Sequence, residues 1–235
     1  MAKTEKSFSA VMGQGHFHGR SEGAESLARH AAALLPDAPG RTILDLGCGT
    51  GDLALALMRH RPESRVTGID LSPANIEEAR RRSDAILFLA GDYLDWRTEP
   101  FAMMVADSVL HLIDAPLDAI AAKIAGDLLP GGLVVATVPD AALRNRALLL
   151  LRRLYRLTPP ATDRLAVSLA GLLHPRQSRQ ALADRMPYMR NIPRLFGAAE
   201  QQQFARAGLV LLAADPMPNP SLAKPRHCLM VWRRV

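Results

Sequence analysis

The sequence predicts one α/β domain: a doubly wound, mixed sheet of seven strands, the last antiparallel, with a helical insertion before the last helix. Three observations carry that expectation. Between residues 41 and 139, short apolar runs alternate with amphipathic helical stretches, as expected of strands buried on both faces and covered by helices. A glycine-rich turn, GCGTG at 47–51, follows the first apolar run and opens a helix. The chain has 235 residues, 49% hydrophobic and 22% charged, which suits a single ordered domain over residues 1–235.

Taken in order, residues 1–40 read as an N-terminal cover. They begin Gly- and His-rich (GQGHFHGR); Leu27, Ala31, Leu34 and Leu35 then recur at helical spacing until Pro36 to Gly40 ends the run. TILDLG is the first strand and DLALALMRH the helix after it. RVTGID is the second strand, and PANIEEARRR a helix with Pro73 in its first turn. AILFLA and FAMMVAD are the third and fourth strands, a helix follows over about Pro116 to Leu129, and GGLVVATVP is the fifth strand. Residues 140–196 break the alternation. ALRNRALLLLRRLYRL and DRLAVSLAGLLH read there as amphipathic helices, punctuated by Pro159, Pro160, Pro175, Pro187 and Pro193. FGAAEQQQFARAG is the last helix, ended by Gly208, and VLLAAD and HCLMVWRR are two closing strands.

Composition narrows the function. Only Cys48 and Cys228 occur, so neither a disulfide framework nor a cysteine zinc site is expected, and a reducing cytoplasm is the expected compartment. No run of about 18 apolar residues suggests a membrane span, and MAKTEKSFSA lacks the apolar core of a secretory signal. The net charge of +6 raises nucleic acid, anionic lipid or an anionic substrate as partners. Its distribution matters more than its sum. Residues 140–195 hold 11 Arg and 3 Asp, hence +8, and the rest of the chain sums to −2. The same bias has a plainer side, because Arg outnumbers Lys 25 to 4 along the whole chain.

The stretch that carries chemistry is Asp45-Leu46-Gly47-Cys48-Gly49-Thr50-Gly51. Glycines there allow close approach of backbone N–H groups to a ligand, at a helix N-terminus that favours a carboxylate or phosphate. Asp70 ends the second strand, 23 residues after Gly47, where an acid can accept hydrogen bonds from both hydroxyls of a ribose. The dinucleotide fingerprint spaces its glycines G-x-G-x-x-G/A. Here the spacing is G-x-G-x-G and Asp52 falls where a pyrophosphate would meet it, so a ligand with a cationic group fits better.

With ILDLGCGTG, VTGIDLSP, LAGDYLDW, MMVADSVLHLID and LLPGGLVVATVP, the chain resembles class I S-adenosylmethionine (SAM)-dependent methyltransferases, in particular the bacterial small-molecule group, over residues 41–139 and more loosely 197–235. The resemblance implies a Rossmann-like sheet with SAM as cofactor and S-adenosylhomocysteine as product. It implies that Gly47, Gly49 and Gly51 form the loop under the methionyl part, supported by Asp45. Asp70 would bind the ribose hydroxyls, Leu71 would pack on the adenine, Asp92 would accept from the adenine amino group with Tyr93 beside it, and Asp107 would lie near the methionyl ammonium. Arg20 would reach the SAM carboxylate.

Methyl transfer is an in-line displacement in which positioning supplies much of the rate, and a base is needed only for an acceptor that holds its proton. His111, after the fourth strand, is the expected base. The His16–His18 pair lacks further ligands at metal-binding spacing, so no metal is expected, and His18 is instead a candidate pocket residue with Tyr155 and Tyr188. Neither nucleic acid nor protein arginine is expected as the acceptor. The place of the N/D/S-P-P-Y/F/W motif of amino-methylating enzymes reads Asp107-Ser108-Val109-Leu110, no cysteine is placed for cytosine C5 attack, and the glutamate pair of protein arginine methyltransferases is missing. Aromatics are 5%, poor for base stacking. Residues 140–196 stand where this family commonly carries a substrate lid. Their leucines and arginines suit a small organic acceptor with an apolar body and an anionic group. Two other readings of the chain stand beside this one: an enzyme in peripheral membrane contact, acting on a lipid or quinone, and a SAM-binding protein without catalysis. Oligomeric state is not legible.

Overall fold

Seven strands, β1 (Thr42–Leu46), β2 (Arg65–Asp70), β3 (Leu87–Ala90), β4 (Phe101–Asp107), β5 (Leu128–Pro139), β6 (Leu209–Pro216) and β7 (His227–Arg234), form one sheet in the computed structural model. The structure describes residues 21–37, 40–159, 161–173, 178–183, 186, 190, 192–217 and 225–235. The strand order is β3-β2-β1-β4-β5-β7-β6. The pairs β1–β2, β1–β4, β2–β3 and β4–β5 are parallel, while β7 is antiparallel to both β5 and β6. The sheet is therefore mixed with β7 inverted, as the sequence predicts.

Strands of this composition need cover on both faces, and the alternation of side chains divides the core in two. Leu44, Met104, Ala106, Val134 and Ala136 face one side, against Ile120 and Ile124 of α4 (Leu117–Gly126) and Phe204 of α8 (Ala198–Arg206). Ile43, Met103, Val105 and Val135 face the other, against α1 (Ser21–Leu34), α2 (Asp52–His60) and α3 (Pro73–Arg82). Trp232 is fully buried on the first side, its ring 4.9 Å from that of Phe204 and its indole N–H donating to Gln201 Oε1 at 2.8 Å. The hydrogen bond removes the cost of burying a polar indole edge.

Helix boundaries follow local chemistry. Ser72 caps α3 by accepting from Asn75 N at 3.3 Å, with Pro73 in the first turn. Asp52 in the first turn of α2 and Arg59 and His60 in its last turn complement the helix dipole. The last turn of α2 also fastens α1: Glu25 meets Arg59 and His60, each at 2.7 Å, and Arg61 Nε donates to Ala32 O at 3.0 Å. Of the expected N-terminal cover, the part described from Ser21 packs into the core beside α2; residues 1–20, with Arg20 and His18, lie outside the described residues.

Between β5 and α8 the chain forms α5 (Leu143–Arg156), α6 (Thr162–Leu173) and the short α7 (Arg179–Ala183), which lacked a periodic signal. Asn145 is 0% exposed and stitches this segment to β7: its Nδ2 donates to Asp140 O and Arg226 O, and its Oδ1 accepts from Arg226 N at 2.8 Å. Asp163 holds Arg190 at 2.6 Å and accepts from the Tyr155 hydroxyl. Leu149 and Arg152 turn inward, while Leu143, Leu150, Leu151, Leu154 and Leu157 of this stretch are exposed. Among the described residues no helix is long and apolar enough to cross a membrane.

Candidate active site

Strand alternation sets a row of polar side chains along the carboxyl edge of the sheet. Asp45 shares a face with Ile43, Asp107 with Val105, Thr137 with Val135, and His227 with Leu229 and Val231. Register joins them: Asp107 pairs with Thr137 and Pro139 with His227. Because β7 runs antiparallel, its first residue reaches the same edge as the last residues of β4 and β5. Thr137 Oγ1 donates to Asp107 Oδ1 at 2.5 Å, and Ser108 Oγ donates to the same oxygen at 3.2 Å.

Asp45 is 1% exposed, and no hydrogen bond of good geometry reaches either carboxyl oxygen, the backbone N–H of Ala54 being near enough only to offset part of the burial. Burial, with the Asp107 charge adding to it, holds its carboxyl well above the usual carboxylate range. Beside it the loop 47–51 turns on residues with positive φ. Gly47 has φ +70°, and a Cβ there would stand 2.3 Å from Val109 Cγ2, so only glycine fits. Gly49 has φ +53° with nothing within 4 Å of a Cβ position, so open space lies over the turn. Gly49 N donates to Asp70 Oδ2 at 2.9 Å, and Ser72 N donates to Oδ1 at 2.8 Å. Asn75 Nδ2 also donates to Oδ1, at 3.4 Å, so Asp70 braces the loop and keeps a second lone pair on Oδ2. Leu71, next to it, is 49% exposed.

Asp92 is exposed and its Oδ1 accepts from Leu94 N at 2.9 Å, a turn bond that leaves the other oxygen open. Tyr93 departs from expectation. Its ring is buried in the core with Lys123 Nζ 4.7 Å from its centre, and burial pushes its phenol up. The side chain belongs to the packing of α4 and not to an adenine wall. Tyr155 departs too: bonded to Asp163 and lying 4.7 Å from the Arg190 guanidinium, it clasps α5 to α6. Tyr188 lies outside the described residues. Cys48 is buried and burial pushes its thiol up, which removes it as a nucleophile.

His111 is 4% exposed, in the loop after β4. Burial, the neighbouring His227 and the Arg152 guanidinium lower it to about 3. An imidazole held this far below its usual range is a poor base at neutral pH, which weighs against the role expected of it. Its ring centre lies 5.4 Å from that of His227, edge to face. His227 and Arg152 are residues the sequence reading missed. The one signal for His227 was its place just before the apolar run CLMVW, and Arg152 sits among four other arginines of the same helix.

The family model described as "Methyltransferase domain" matches residues 43–132, less than half of the chain. The chain is 33% identical over 152 residues to trans-aconitate 2-methyltransferase of Methylobacterium nodulans, which covers 63% of this chain and 58% of that protein. The match thus spans less than two thirds of that relative. Among solved structures, the chain is similar to N-methyltransferase NodS of Bradyrhizobium japonicum in complex with S-adenosylhomocysteine, at TM-score 0.61 and 16% identity over 98% of both chains. It is similar also to 1,6-didemethyltoxoflavin-N1-methyltransferase of Burkholderia thailandensis, at TM-score 0.60 and 19% identity over 99% of this chain and 88% of that one.

Proposed function

We propose that the protein is a cytoplasmic enzyme that transfers the methyl group of SAM to an oxygen or nitrogen of a small organic acceptor. The observation that carries this is Asp45: a buried, unpartnered carboxyl facing Asp107 is a costly arrangement that a bound cation relieves. The ammonium of SAM is such a cation. Asp70, held by Gly49 and Ser72, takes the ribose hydroxyls; Gly47, Gly49 and Gly51 line the methionyl side; Leu71 and Asp92 take the adenine face and amino group. The cofactor supplies an electrophilic methyl group on sulfur. The chain's own contribution is to orient the acceptor and to keep water out.

The acceptor is read as small because α5, α6 and α7 follow the edge after β5, in a segment suited to a lid, and because the relatives' names are those of small-molecule methyltransferases. Both cysteines are free, in keeping with a reducing compartment. The test is transfer of labelled methyl from SAM by the full chain to hydroxyl, carboxyl and amine acceptors. Labelled product is expected from the native chain and a loss of at least tenfold from Asp70→Ala. A folded native chain that binds no S-adenosylhomocysteine overturns the proposal.

A further inference from the structure

The Nδ1 of His227 lies 3.2 Å from the carbonyl oxygen of Pro225. Only an N–H can meet a carbonyl oxygen, so the neutral ring carries its proton on Nδ1 and presents a lone pair on Nε2. That Nε2 is buried and has no hydrogen-bond partner, so it is an acceptor without a donor. It stands in the same row as Asp107 and Asp45, on the side of the edge away from the glycine loop. We propose that His227 Nε2 takes the proton of the methyl-accepting atom, and that the acceptor is a hydroxyl or amine that keeps its proton at neutral pH, not a carboxylate. The inference rests on the methyltransferase reading above and deepens it.

The surroundings of His227 separate it from His111. Two imidazoles 5.4 Å apart do not both carry charge. His111 has Arg152 of α5 at its side, which repels a proton. His227 has Asp107 of β4 and Asp140 at the end of β5, and both carboxylates favour its protonated form, against the burial that lowers it. Arg226, the next cation in the chain, is taken up by Asp140 at 2.6 Å. Burial lowers both rings, and of the two His227 is the one whose neighbours favour a proton, so His111 stays neutral beside it. In the step, a lone pair of the acceptor O or N forms the bond to the methyl carbon. The sulfur keeps the electron pair of the broken S–C bond, and the acceptor's proton passes to Nε2.

The test uses the full chain, matched phenol, alcohol, amine and carboxylate acceptors, and His227→Asn, whose side-chain amide keeps the donor to Pro225 O and removes Nε2. The variant is expected to lose about 10²–10⁴-fold in kcat, with KM and S-adenosylhomocysteine affinity within twofold. For a phenol, activity should return as the pH approaches about 10, where the acceptor ionises unaided. The native kcat/KM should fall on the acid side below pH 6.5. Nitrogen-15 histidine spectra, read without any acceptor, should show the Nδ1–H form of His227. Methylation confined to carboxylates, a fully active His227→Asn, or an Nε2–H form of His227 overturns the proposal. Loss of S-adenosylhomocysteine binding by the native chain instead overturns the methyltransferase reading beneath it.

Discussion

Asp45 is held where water does not reach its carboxyl and where the Asp107 charge repels its own. The unliganded fold favours the protonated acid. Its folded pKa is raised, so the stability linked to it is present below the unfolded value of 3.8 and is lost as pH rises toward the folded value. Asp45→Asn removes that liability. At pH 8 it is expected to stabilise the ligand-free chain by about 1–3 kcal/mol, read from urea midpoints, and to weaken S-adenosylhomocysteine binding about 10–100-fold. A variant that lost stability and kept its affinity would count against a cation-binding role. The acid and its glycines were legible in the sequence because their spacing is local. That Tyr93 turns into the core under Lys123 was not, because which way a ring turns depends on a helix some 30 residues on.

At the scale of elements, the joint between β7 and the helical segment after β5 hangs on one amide. Asn145 satisfies Asp140 O, Arg226 O and Arg226 N at once and is wholly buried. Asn145→Ala leaves three backbone groups without their partner. It is expected to cost about 2–4 kcal/mol by denaturant unfolding and to raise KM for the acceptor more than for SAM, since α5 starts there. The strands were legible where both faces are apolar: FAMMVAD is predicted and found at 101–107. The helices DLALALMRH and PANIEEARRR are likewise predicted and found, at 52–60 and 73–82. The segment 140–196 was legible only as helical. Arg152 reads as one more surface cation of an Arg-rich amphipathic helix, yet it is 2% exposed while Leu151 beside it is 63% exposed. Composition alone does not tell which face of such a helix turns in.

Over the whole molecule, the charge of +6 resolves into a nearly neutral sheet-bearing body and a basic helical segment, part of whose charge is used internally: Arg190 by Asp163, Arg152 by burial beside the histidines. The buried histidine also sets a pH limit on the fold. Its folded pKa is depressed from 6.5 to about 3, so its contribution to stability is present above 6.5 and lost as pH falls below it. His111→Asn should therefore lose about 2 kcal/mol less than the native chain between pH 6.5 and 5, measured by urea unfolding at both. Asp45 acts in the opposite sense, so the variant is compared with the native chain and not with an absolute curve. The row from Asp45 through Asp107 to His227 was not legible, because it joins β1, β4, β5 and an inverted β7 and exists only once the strand order is known. In the function proposed, this row and its loop hold SAM through a cation set against Asp45. Calorimetry of S-adenosylhomocysteine binding in buffers of different ionisation heat tests it most directly. Binding is expected to release a proton from Asp45 near its raised pKa, and no such release is expected from Asp45→Asn. A folded native chain giving no heat up to about 1 mM ligand would contradict it.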